Sequence, residues 1–137
     1  DLDENKIGLG VLVNLPKIFR GYADDSKQKI EHAKVTVLRQ LQLNRIQEVA
    51  IYGTGSFAKE LFNLLAANNI KTELFVDSNH ELWGTTLFHV KIVSFAEAVA
   101  RGCTTFVIGS YTYMDEIANI IHNEMSKRNK QVRIVGW

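Results

Sequence analysis

Cysteine is almost absent from the chain: Cys103 stands alone, so no internal disulfide can form. That agrees with a reducing compartment, and the expected localisation is cytoplasmic. Proline is equally scarce, and after Pro16 no proline breaks any element. No apolar run approaches the roughly 20 residues that span a bilayer, and there is no charged start followed by a small-residue cleavage site. Net charge is lacking too: 16 lysines and arginines face 15 acids, for a formal charge of +1. Bulk electrostatics therefore draws the chain to neither nucleic acid nor a membrane surface. The basic run Lys127 to Lys130 sits at an expected helix end, where cations complement the dipole.

Several chemistries are excluded by what is missing. The four histidines, His32, His80, His89 and His122, are scattered, and no cysteine–histidine spacing suggests zinc, so no metal site is expected. G-x-x-x-x-G-K-[ST] does not occur, which removes an ATPase P-loop. Neither Tyr111 nor Tyr113 is followed four residues later by lysine, so the tyrosine–lysine pair of short-chain dehydrogenases is missing. Cys103 lies beside an expected strand start without an activating neighbour and reads as a small apolar residue. No acid–base or nucleophile–base pair can be named, and no catalytic residue is assigned.

What remains is the composition of a globular protein, 46% hydrophobic and 23% charged. The 137 residues suit one domain. The chain starts Asp1-Leu2, which points to a segment of a longer polypeptide, although a processed N-terminus would look the same. Residues 1–45 read as an extension. Its first part fits strand alternation (Ile7, Leu9, Val11, Val13, Leu15) and helical spacing (Ile7, Val11, Leu15, Ile18) almost equally. Ile30, Ala33, Val37 and Leu41 then predict a helix over about 27–42, with Asp24, Asp25 and Ser26 as N-cap candidates.

From residue 46 to 137 strands alternate with helices. Strands are expected at 48–52, 72–76, 90–93, 104–108 and 133–135. Between them come a helix over 57–67 closed by Asn68-Asn69, one capped by Ser94 with Glu97 and ended at Arg101-Gly102, and one starting at Thr112 with Asp115. This rhythm implies an α/β, Rossmann-like fold: about five parallel strands in the order 3-2-1-4-5, helices on both faces and an N-terminal helical extension. Ligands of such sheets bind at the switch point, outside the carboxyl ends of strands one and four.

One motif falls there. Gly53-Thr54-Gly55-Ser56-Phe57-Ala58 matches G-x-G-x-x-[G/A] between a strand and a helix, and Asp77 ends the next strand 24 residues after Gly53. Gly53 permits the tight turn, Gly55 has no Cβ to hold off a pyrophosphate, and Ala58 allows close helix–strand packing. The helix start offers unpaired N–H groups and a positive dipole end. Asp77, followed by Ser78, would accept hydrogen bonds from ribose hydroxyls and repel a 2′-phosphate. Gly109-Ser110-Tyr111 follows strand four and should face the glycine loop. Its polar and aromatic groups suit a base, sugar or nicotinamide, or equally a capped helix start with tyrosines packed at the rim. Trp83 reads as an anchor for the loop after Asp77.

Ile51 to Ser56, Phe75 to Asn79, Leu82 to Gly84, Val90 to Ser94 and Phe106 to Ser110 together resemble a small Rossmann module of bacterial surface-polysaccharide biosynthesis. It is similar to the N-terminal nucleotide-sugar-binding domain of sugar O- and N-acyltransferases, and to modules fused to sugar methyltransferases and glycosyltransferases. The resemblance covers about residues 47–137. It implies that the segments Gly53 to Phe57 and Gly109 to Tyr111, with Asp77, line a nucleotide site beside another domain of the same polypeptide. Two positions depart from the pattern: His89 stands where glycine is frequent, and Ser56-Phe57 where the acyltransferases often carry glycine-histidine. The second departure argues against acyltransferase chemistry.

The leading expectation is a non-catalytic binding module. It would take NAD or a nucleotide-sugar, within a larger carbohydrate-processing enzyme or a homo-oligomer. The alternatives are an NAD-dependent sugar oxidoreductase, an S-adenosylmethionine methyltransferase-related domain, and an assembly module with no ligand.

Overall fold

A computed structural model describes residues 22–137; the strand-or-helix question over residues 7–18 lies outside the described residues. The elements in chain order are α1 (Tyr22–Leu43), β1 (Glu48–Tyr52), α2 (Ser56–Ala67), β2 (Lys71–Val76), β3 (Thr86–Leu87), β4 (Val90–Val93), α3 (Phe95–Ala100), β5 (Thr105–Ile108), α4 (Met114–Lys127) and β6 (Arg133–Val135). A single 3₁₀ turn, His80–Leu82, precedes β3.

The sheet has six strands in the order β3-β4-β2-β1-β5-β6, where five were expected. All pairs are parallel except β3 with β4. The five parallel strands keep the expected order. The addition is the two-residue β3, too short to show any alternation, which folds back on β4 as an antiparallel edge.

Strand periodicity sorts the core into two layers. Val49, Ile51, Phe75 and Val107 point to one face, where α1 and α2 supply Ala33, Val37, Leu41, Phe57, Ala58, Leu61 and Leu65. Ala50, Tyr52, Leu74, Val76, Phe106 and Ile108 point to the other, against Phe95, Ala98 and Val99 of α3 and Ile117, Ile121 and Met125 of α4. Residues buried on both faces explain why β1 and β5 read as unbroken apolar runs. Helices α2 and α4 thus cover opposite faces.

Helix ends show where local rules held and where tertiary structure decided. Asn69 takes the left-handed conformation after α2 (φ 62°), and Gly102 does so after α3 (φ 94°). Ser94 Oγ accepts from the Glu97 N–H at 3.0 Å. Two expectations are corrected. Helix α1 covers Tyr22–Leu43 of the described residues, so Asp24, Asp25 and Ser26 fall inside it rather than capping it. Helix α4 starts at Met114 after Tyr113, and Thr112 does not cap it. The turn is closed instead by Ser110 Oγ, which accepts from the Tyr113 N–H at 3.1 Å.

The β3–β4 hairpin turns on Phe88 and His89, both at positive φ (53° and 65°), the pattern for which Asn-Gly is preferred. Phe88 is held by stacking on Phe62, with ring centroids 4.7 Å apart. Among the described residues no ring contact holds His89, whose backbone takes the left-handed conformation at its usual cost. His89→Gly should therefore raise stability by about 0.5–1 kcal/mol, the strain relieved less the unfolded-state entropy gained. Phe88→Gly should lower it through loss of the stack. Urea titration of the two variants checks this; a lower midpoint for His89→Gly would contradict it.

Candidate functional site

At the carboxyl ends of β1 and β5 the backbone is compressed. Gly53 has φ 127°, and a Cβ there would sit 2.9 Å from the Gly109 carbonyl oxygen. A Cβ on Gly109 would meet Ile51 Cγ2 at 2.6 Å, the Tyr52 carbonyl oxygen at 2.9 Å and Ala58 Cβ at 3.1 Å. Only glycine fits at either point, and Ala58 packs close against Gly109. The Gly109 N–H donates to the Tyr52 carbonyl (2.8 Å), and the Gly53 N–H to that of Val76 (2.7 Å), tying three strand ends together.

Gly55 is different. Its φ is −82°, and a Cβ built on it meets nothing within 4 Å. It is the N-cap of α2 with no side-chain cap bond, and α2 has no acid in its first turn, whereas α3 carries Glu97 there and α4 carries Asp115 and Glu116. The first N–H groups of α2 and the positive end of its dipole are therefore left to the cleft.

That cleft has a volume of about 580 Å³. The structure brings all ten sequence-predicted residues to it: Gly53, Thr54, Gly55, Ser56, Phe57, Asp77, Ser78, Gly109, Ser110 and Tyr111. The described residues lining it include no lysine, arginine or histidine; its charged groups are Glu60, Asp77 and Glu116.

Asp77 is half-buried and organises the loops. Oδ2 accepts from Thr54 Oγ1 at 2.7 Å, and Oδ1 from the Asn79 N–H at 2.8 Å. Each oxygen of an ionised carboxylate keeps a second acceptor position, so two remain for a ligand. Ser78 is tied to Tyr52 by a hydroxyl–hydroxyl hydrogen bond of 2.9 Å. Trp83 Nε1 donates to the Asp77 carbonyl at 2.7 Å, which makes it the expected anchor. Phe57 is buried and packs against Tyr111 and Trp137, whose two rings lie nearly parallel 5.6 Å apart. Phe57 and Tyr111 thus form a packed wall, and Ser110 carries the turn before α4.

Sequence reasoning missed the contribution of α1. Ile30 lines the cleft, and Lys34 Nζ lies 2.7 Å from Glu60 Oε1 on α2 and 2.6 Å from Glu31. Burial alone would lower the pKa of this ammonium, but hydrogen bonds to Glu31 and Glu60 outweigh it and raise the net value. The lysine stays charged and pins α1 to α2 beside the cleft. Tyr113, the second tyrosine of the segment after β5, also lines the cleft, and sequence reasoning missed Glu116 and Ile120 of α4.

Elsewhere little is reactive. Cys103 is buried, and that burial, with Glu73 nearby, pushes its thiol up to about 11. Among the described residues no group of histidines, cysteines and acids could hold a metal, and no helix is long and apolar enough to cross a membrane.

A protein-family model described as C2185-like, N-terminal, matches residues 45–132, well over half of the chain. Among solved structures the chain is similar to a UDP-D-quinovosamine 4-dehydrogenase from Vibrio fischeri, at 18% identity and a TM-score of 0.48, over 65% of this chain and 75% of that one. No curated protein matches significantly.

The two classes of glycine separate by substitution. Gly109→Ala should cost about 1–3 kcal/mol or more by overpacking. Gly55→Ala should stay within about 0.5 kcal/mol of wild type. Denaturant midpoints measure both; equal effects at the two positions would contradict the geometry.

Proposed function

The chain belongs to the C2185-like N-terminal family, and we propose that it is a nucleotide-binding module of a larger carbohydrate-processing protein. Its ligand is a pyrophosphate-containing nucleotide, NAD(H) or a nucleotide-sugar. Residues 46–137 carry the site, and residues 1–45 are an extension whose helix α1 buttresses it.

One observation carries the reading. The N-terminus of α2 is uncapped and free of acids, and it opens on the cleft at Gly55, where nothing occupies the space a side chain would take. A pyrophosphate placed there receives backbone N–H donors and the helix dipole. Asp77 lies on the same cleft with acceptor positions to spare for ribose hydroxyls. Its charge disfavours a 2′-phosphate, so NAD is preferred to NADP if either binds.

Calorimetric titration with NAD, NADP and nucleotide-sugars tests this. Gly55→Val should abolish binding and keep the fold, because its φ is negative and the added atoms enter open space. Asp77→Ala should weaken binding by roughly 1.5–3 kcal/mol and narrow any preference for NAD over NADP. Unchanged affinities in both variants, or no ligand bound by wild type, would refute the proposal. The purified chain should also show no change in nicotinamide absorbance with NAD and nucleotide-sugars, since no catalytic acid–base pair is assigned in the sequence. Steady turnover there would overturn the binding-module reading.

A further inference from the structure

Once a pyrophosphate is set at Gly55 and a ribose at Asp77, one wall of the cleft has no role, and it belongs to α4. Tyr113, the N-cap of α4, precedes Glu116 by three residues, Ile120 follows Glu116 by four on the same side of the helix, and all three line the cleft. Ile121 and Met125 are turned into the core instead. Tyr113 is 55% exposed and Ile120 42%, two of the few large apolar side chains left open to solvent among the described residues. Glu116 is exposed and makes no hydrogen bond or ion pair with any described residue.

An open aromatic face beside an unpaired carboxylate suits a saturated, hydroxylated ring. The aromatic face takes the C–H side of the ring, and the carboxylate accepts charge-assisted hydrogen bonds from neighbouring hydroxyls. The same carboxylate repels a terminal phosphate, and no cation among the described lining residues offsets that repulsion.

We propose that Tyr113, Glu116 and Ile120 form a sugar subsite, so that the cleft takes a nucleoside diphosphosugar and discriminates against a nucleoside diphosphate with a free end. This rests on the phosphate-site reading above and narrows it to one ligand class. A purely structural Glu116 would only complement the dipole of α4, as Asp115 beside it does. Such a role would alter stability without altering ligand preference.

The test is calorimetric titration of wild type, Glu116→Gln and Tyr113→Ala with UDP, GDP, dTDP and ADP, each paired with its glucose ester, and with NAD. Thermal melts confirm that the variants, both at exposed positions, remain folded. The wild type should bind one glucose ester about tenfold or more tighter than its free diphosphate, the difference expected of a hydrogen bond to a charged group. Glu116→Gln should narrow that ratio by about threefold or more, weakening the ester and strengthening the free diphosphate. Tyr113→Ala should weaken the ester alone. Equal affinity for ester and free diphosphate, ratios unchanged in both variants, or binding of NAD without any ester would overturn the subsite and leave the phosphate site standing. Failure of every ligand to bind wild type would remove both.

Discussion

The ends of β1 and β5 come so close that Gly53 and Gly109 are in backbone contact, and the arrangement of the cleft follows from that approach. A Cβ at either position would collide with backbone or with Ile51. Because the strands meet so tightly, the chain must leave β1 upward through Gly53 and enter α2 within three residues. The helix N-terminus is thereby set over the switch point of the sheet, with Ala58 filling the gap beneath it. The loop after β5 is fixed in the same way and passes directly into the Ser110 turn.

Electrostatics then decides what such a cleft favours. Its described lining residues contribute carboxylates and no cation, so the groups there that favour an anion are N–H groups, hydroxyls and the dipole of α2. That arrangement suits a phosphate group flanked by hydroxyl-bearing groups better than a chain of free phosphates. The Lys34 ammonium is close by, but it is engaged by Glu31 and Glu60 and serves the α1–α2 contact.

Much of this was legible in the sequence, for identifiable reasons. The apolar run before Gly53, the helical spacing after it and the position of Asp77 are local signals, and they specified the parallel strand order and the residues gathered around the loop. Features set by distant contacts were not legible. Strand β3 is too short to carry a period. The start of α4 is a local matter, set by Ser110 three residues before Tyr113, but Thr112 with Asp115 offered a competing cap. Helix α1 borders the cleft through Ile30 and through Lys34 bridging 26 residues to Glu60, a pairing that no short spacing reveals. Glu116 was not singled out, because nothing local indicates that its side of α4 faces a cleft.

The central claim is that the open N-terminus of α2 receives the phosphates of a nucleotide. Titrating NAD and a panel of nucleoside diphosphosugars into isotope-labelled protein, while following backbone amide resonances, tests it most directly. The account predicts that the largest shifts occur at Gly55, Ser56, Phe57 and Ala58, with smaller ones from Gly109 to Tyr111. Shifts confined to the separate groove between α4 and β6, around Met125 and Val132, or no saturable shifts with any of these ligands, would contradict it.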